Sequence, residues 1–249
     1  MTWLLDLDGV VWRGDQPIPG SADAVARLRA SGRRVVLVTN NSSLTVAQYM
    51  EKLDRMGVST DPADLVTSAQ VSATLVQPGE RVFVCAGDGV REAVTQRGAT
   101  VVADQTADVV IVGFTRAFDY DLLTAAMHAV RGGARLIGTN EDPTYPAPDG
   151  VIPGGGSLVA AVAYASGVEA TFAGKPHPPT VAAVHERYGP IDIMVGDQPL
   201  TDGALARALG ARFGLVLSGI TGRADLPVTP QPDLVADDLA LLVAADCKL

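Results

Sequence analysis

The sequence predicts an α/β fold with a core interrupted by an inserted segment. Two observations lead there. Short apolar runs recur at residues 3–7, 35–38, 82–85, 109–112, 136–137, 191–195 and 213–217, with helical patterns between them. The runs are continuous rather than alternating, which suits strands covered on both faces of a parallel sheet. The chemically suggestive residues also cluster in two groups, one before residue 79 and one after 169.

After the first run, Ser21 is the expected N-cap of a helix whose inner face carries Val25 and Leu28 and which stops at Gly32. Val46, Tyr49, Met50, Leu53 and Met56 keep helical spacing up to Gly57. Leu205, Ala208 and Leu209 do so before Gly210. From 79 to 169 runs a second β-α-β series, closed by a Pro- and Gly-rich stretch at 142–156 and a helix-like 158–165, expected to be capped near Ser157. Gly87-Asp88-Gly89 reads as a helix start, and Asp237-Asp238 as the cap of the last helix. The division expected is 1–79 with 170–249 as a discontinuous core, and 80–169 as the inserted domain.

Composition narrows the function classes. A chain of 249 residues can bury a substantial core. Its formal net charge of −9 argues against nucleic acid or an anionic membrane as partner. No stretch approaches the roughly 18 apolar residues of a membrane span, and Met1-Thr2-Trp3-Leu4 lacks the layout of a secretory signal, so a cytoplasmic protein is expected. Cys85 and Cys247 are too few for a disulfide framework or a zinc cluster, and read as a buried small residue and a tail residue. His128, His177 and His185 have no metal-ligand spacing.

Four segments carry chemistry. In Leu4-Leu5-Asp6-Leu7-Asp8-Gly9-Val10, Asp6 and Asp8 share a face if the strand runs through both. Two carboxylates at a strand end suit a hard cation beside a nucleophile or an acid, although a simple Asp8-Gly9 turn explains them equally well. Thr39-Asn40-Asn41-Ser42-Ser43 follows the second run; a hydroxyl and successive N–H groups there form a phosphate cradle, or ordinary N-capping. Ala173-Gly174-Lys175-Pro176-His177-Pro178 holds Lys175, one of only three lysines, as a point charge on a stiffened turn. Val195-Gly196-Asp197-Gln198-Pro199-Leu200-Thr201-Asp202-Gly203 adds two acids where a strand enters a helix.

In this order, DxD, TNNS, GKP and GDxxxTD resemble the motifs of the haloacid-dehalogenase-type (HAD) phosphatase superfamily. The large-cap subgroup with NagD-like and 4-nitrophenylphosphatase-like enzymes is the nearer match. Val66-Thr67-Ser68-Ala69-Gln70, Asp142-Pro143-Thr144 and Pro153-Gly154-Gly155-Gly156-Ser157 also resemble that subgroup. Gln198 departs from it, since relatives often carry Asn, Arg or an acid there.

The resemblance implies a doubly wound, Rossmann-like core with an inserted α/β cap, and a magnesium-dependent phosphatase acting on a small phosphorylated metabolite. Asp6 would be the nucleophile and Asp8 the general acid and base. Asp6, the Asp8 carbonyl and Asp197 would hold Mg2+. Thr39, Asn40, Asn41 and Lys175 would bind phosphate oxygens, with Asp202 orienting Lys175 or a metal-bound water. Tyr145, in the cap, is the expected specificity residue, and relatives often form homodimers. A phosphotransferase of the same superfamily and a non-catalytic phosphometabolite-binding protein are the alternatives. His177 has no role assigned by the motifs.

Overall fold

The structure, a computed structural model, describes residues 1–104, 106–147 and 150–246. It is a mixed α/β fold built on two parallel sheets. The chain divides into two compact units: Met1–Thr39, Gln48–Val66 and Val181–Leu249 form one, and Asn40–Ala47 with Thr67–Thr180 form the other. The second unit contains 80–169 and also takes in 40–47, 67–79 and 170–180. Cys247 lies outside the described residues.

In spatial order the larger sheet runs Leu234–Ala236, Arg212–Val216, Ile193–Gly196, Thr2–Asp6, Arg34–Thr39 and Leu65–Thr67. Its central strands are apolar on both faces, and Trp3, Leu4, Leu5, Leu37, Ile193 and Met194 are fully buried. Each such side chain contributes about 1.5–3 kcal/mol by leaving water. Register sets Leu5 opposite Val195 on one side and Leu37 on the other, and Asp6 opposite Val38. From the first strand the chain builds outward to one side, then returns to build the other. The strand order therefore reverses between Thr2–Asp6 and Ile193–Gly196, and open α/β sheets bind ligands outside the carboxyl ends at such a point.

The second unit holds Thr171–Phe172, Arg135–Gly138, Val109–Val112, Arg81–Cys85 and Thr100–Val102 in spatial order, all parallel. Its two faces separate by the period of two. Val82, Val84, Ile111 and Ile137 pack with Ala69, Val76, Val90 and Val94, while Phe83, Cys85, Val110, Val112 and Leu136 pack with Ala126, Ala129, Val130, Val159 and Val162. Burial pushes the Cys85 thiol up to about 12, which makes it an inert core residue.

Two expected caps are corrected. Helix Ser21–Ala30 starts after Gly20, and the Ser21 hydroxyl donates to the carbonyls of Val11 and Ile18, at 3.0 and 2.7 Å. Helix Gly155–Ser166 starts after Gly154, ahead of Ser157, whose hydroxyl instead donates to the Pro143 carbonyl at 2.6 Å. A Cβ on Gly156 would lie 2.3 Å from Glu141 O, so a glycine there allows close packing. Asp88–Gln96 and Leu239–Asp246 begin as expected, and Asp238 accepts from the Leu241 amide at 2.8 Å. Among the described residues, no helix is long and apolar enough to cross a membrane.

Candidate active site

In the first unit, Asp6 ends its strand, Thr39 ends the neighbouring one, and Asp197 follows the strand Ile193–Gly196 on the other side. After Asp197 the chain makes a wide π-type turn, Pro199–Gly203, before helix Ala204–Ala208. Single turns of this kind are rare and fall frequently at functional sites. Here the turn sends Asp202 back toward the sheet, where its Oδ2 accepts from the Gln198 amide at 3.1 Å. Carboxylate oxygens of Asp6, Asp197 and Asp202 lie within 4.8 Å of one another. All three residues are at most 5 % exposed, and Thr39 is also buried.

Space for this cluster comes from glycine. Gly9 has φ 85°, and a Cβ there would lie 2.5 Å from Asp197 Oδ2. A Cβ on Gly219 would lie 1.9 Å from the same oxygen, which accepts from the Ile220 amide at 2.6 Å. Gln198, the departure from the subgroup pattern, takes part through its backbone: its carbonyl accepts from Asp202 N at 2.8 Å.

Asp8 is placed differently from the strand reading. The strand stops at Asp6, and the amides of Val10, Val11 and Trp12 all turn in on the Leu7 carbonyl. The turn, not the pleat, sets the direction of Asp8. Its Oδ1 accepts from Trp12 Nε1 at 3.0 Å. The carboxylate cluster contains Asp202 and not the Asp8 side chain.

In the second unit the residues after Thr39 form a hydrogen-bond hub on Asn40. Its Oδ1 accepts from the Lys175 amide at 2.7 Å, and its Nδ2 donates to the Lys175 carbonyl and to Asp142 Oδ2, at 3.2 and 3.1 Å. Its backbone carbonyl accepts from Asn140 Nδ2 and Ser68 Oγ, at 2.7 and 2.6 Å. Ser68 opens helix Ser68–Thr74, whose start is fixed by a capping box between Thr67 and Gln70. Lys175 is buried. Asn41 Nδ2 donates to the Tyr145 hydroxyl at 3.2 Å, and the Tyr145 ring lies 4.7 Å from that of Phe114. Tyr145 sits in a hairpin opposite Ile152. His177 stacks on Phe172 with centroids 5.3 Å apart, and its Nε2 lies 3.4 Å from Glu141 Oε2.

Residues 3–100 match the family model for haloacid dehalogenase-like hydrolases, and 172–242 match a second, HAD-hydrolase-like model. The acid sugar phosphatase of Staphylococcus aureus is 35 % identical over 207 residues, covering 80 % of this chain and 80 % of that protein. The chain belongs to the haloacid dehalogenase-like hydrolases. It falls within their NagD-like phosphatase subgroup. The p-nitrophenyl phosphatase of Archaeoglobus fulgidus has a similar structure, with TM-score 0.91, 30 % identity and 98 % of each chain covered. The glycerol phosphate phosphatase of Mycobacterium tuberculosis, solved in complex with calcium, gives 0.89 and 32 %, covering 97 % of this chain and 74 % of that one.

Three features around the candidate residues have no motif signal in the sequence. Trp12 reads as an ordinary apolar residue, and Asn140 and Asp142 meet Asn40 across about a hundred positions. Gly219 follows the last central strand in Ser218-Gly219-Ile220, and its small side could have been noticed as a second strand-end glycine after Gly9.

Proposed function

We propose that this chain hydrolyses phosphate monoesters of small metabolites with magnesium as cofactor, through an aspartyl-phosphate on Asp6. The chain is a phosphoric monoester hydrolase, as are the relatives named above. Those relatives are named for a sugar phosphate, an aryl phosphate and glycerol phosphate, which supports a class of substrate rather than one compound.

The observation that carries this reading is the buried cluster of Asp6, Asp197 and Asp202 where the strand order reverses. Ionised carboxylates are costly away from water unless a cation offsets them, and an all-oxygen donor set suits a small hard ion. Asp6 and Asp197, with the Asp8 carbonyl, would hold magnesium. Bound there, the ion supplies the positive charge that lets a carboxylate approach a phosphate dianion.

The chain's own groups do the rest. A carboxylate oxygen of Asp6 attacks phosphorus as the bond to the leaving oxygen breaks, leaving the phosphoryl group on Asp6. Asp8 gives its proton to the departing alkoxide, then takes one from the water that attacks the aspartyl-phosphate. Thr39, Asn40, Asn41 and Lys175 are assigned to the phosphate oxygens, where charge is stabilised in the transition state. Asp202 orients Lys175 or a bound water. The inserted segment 80–169, which falls within the second unit, acts as the substrate-selecting cap, with Tyr145 on the leaving portion.

The test is phosphate release from a panel of esters by the wild type and by Asp8→Asn. The wild type should turn over several esters with magnesium present. Asp8→Asn should lose at least about a hundredfold in kcat/KM on alkyl phosphates and much less on 4-nitrophenyl phosphate, whose leaving group needs little protonation. No turnover on any ester, or an equal loss on both kinds, overturns the reading.

A steric prediction concerns Gly219. In Gly219→Ala the new methyl would overlap Asp197 Oδ2, so the carboxylate or its loop must shift. The concentration of magnesium giving half-maximal activity should rise at least about tenfold, since metal affinity depends on ligand placement within a few tenths of an ångström. An unchanged magnesium titration would remove Asp197 from the metal site.

A further inference from the structure

We propose that Trp12 is a positioning residue for Asp8, fixing through its indole N–H which carboxylate oxygen handles the proton. The inference rests on the acid and base role assigned to Asp8 above.

Trp12 opens a two-strand hairpin, Trp12–Arg13 with Gln16–Pro17, and is 1 % exposed. Its position is over-determined. The Gly9 amide donates to the Trp12 carbonyl at 2.7 Å, and the Trp12 amide donates to the Leu7 carbonyl at 3.2 Å. On the ring face sits Lys52, with Nζ 4.5 Å from the centroid. That ammonium also donates to the Gly14 carbonyl at 2.9 Å and lies 3.6 Å from Asp15 Oδ1, so it ties the hairpin tip to the ring. Lys52 is one of three lysines in the chain, and a buried ammonium needs such partners to be tolerated.

The chemistry follows from what an indole can do. Its N–H donates and cannot accept, so Asp8 Oδ1 is committed as an acceptor in either protonation state. The proton Asp8 passes to the leaving group then travels on Oδ2. A cation over the π face draws electron density from the ring and strengthens the N–H as a donor. A buried Trp in mere packing would be indifferent to the loss of its nitrogen. Here the nitrogen is the atom that reaches the carboxylate.

The experiment compares kcat/KM for an alkyl phosphate and 4-nitrophenyl phosphate in the full chain with magnesium, because this ratio reports the first phosphoryl transfer. Two replacements are used at position 12: Trp12→Phe, and benzothienylalanine, which keeps the fused ring but has sulfur in place of N–H. The alkyl ester should lose roughly ten- to thirtyfold, mostly in kcat, and 4-nitrophenyl phosphate less than about threefold, the scale of one charge-assisted hydrogen bond. In an Asp8→Asn background either replacement should add less than about twofold. Equal losses on both esters, or full alkyl activity with benzothienylalanine, overturns the proposal even if Trp12→Phe folds poorly. If Asp8→Asn itself shows no dependence on the leaving group, the role of Asp8 fails first, and the proposal falls with it. If Asp8→Asn shows that dependence and the benzothienyl variant does not, Trp12 alone is wrong.

Discussion

Asp6→Asn should release phosphate at least about a thousandfold more slowly than the wild type on every ester, a barrier increase of about 4 kcal/mol. An amide oxygen is a poor nucleophile toward phosphorus, and it binds a hard cation weakly, so both functions assigned to Asp6 fail together. The loss should not depend on the leaving group, which separates this variant from Asp8→Asn. Stability should move the other way. Three carboxylates with oxygens within 4.8 Å repel when no cation is bound; with an effective dielectric near 20 one such pair costs about 3 kcal/mol. Replacing one by an amide should leave metal-free Asp6→Asn at least as heat-stable as metal-free wild type. Phosphate release within tenfold of wild type, from a folded variant, would remove Asp6 from the chemistry.

Exhaustive dialysis against EDTA should abolish phosphate release, and added magnesium should restore it. Calcium should restore it poorly. Its oxygen shell is wider, at 2.3–2.6 Å against 2.0–2.1 Å in general, and it tolerates irregular geometry, so it holds the nucleophile and phosphate less closely. The same chelation should lower the thermal midpoint of the wild type, because the buried carboxylates lose the charge that offsets them. The midpoint of Asp6→Asn should fall less. Full activity after chelation would refute the metal reading of Asp197 and the carboxylate cluster together.

Much of the fold was legible because parallel strands buried on both faces leave continuous apolar runs, and residues 3–7, 35–38, 82–85 and 109–112 each mark a strand to within two residues. The strand-end acids were legible for a related reason: charge at the end of such a run stands out. What was not legible depends on distant partners. Ser21 has the side chain of an N-cap, but the carbonyls of Ile18, in the turn before the helix, and of Val11, ten residues upstream, claim its hydroxyl. The helix start at Gly155 contradicts local propensity, since glycine is a poor helix former, and it is dictated by close approach to 141–144. Asp8 looked like the strand partner of Asp6, yet the chain turns between them, and its carboxylate is met by Trp12. The hub on Asn40 joins residues about a hundred positions apart, and no local pattern announces it.

The composition of the second unit bears on how it could be exchanged between relatives. A graft taken as one uninterrupted piece, 80–169, would leave Ala69 and Val76 behind and open the core they share with Val82, Val84, Val90 and Val94. It would also strand 40–47, where the Gly89 amide donates to the Ser43 carbonyl and Glu92 accepts from the Val46 amide at 2.9 Å. A working exchange cassette therefore has two pieces, 40–47 and 67–180, moved from one donor together. Recombination between homologous genes meets the same constraint: a crossover pair flanking only the middle of the chain would bring together halves of a core that never packed against each other.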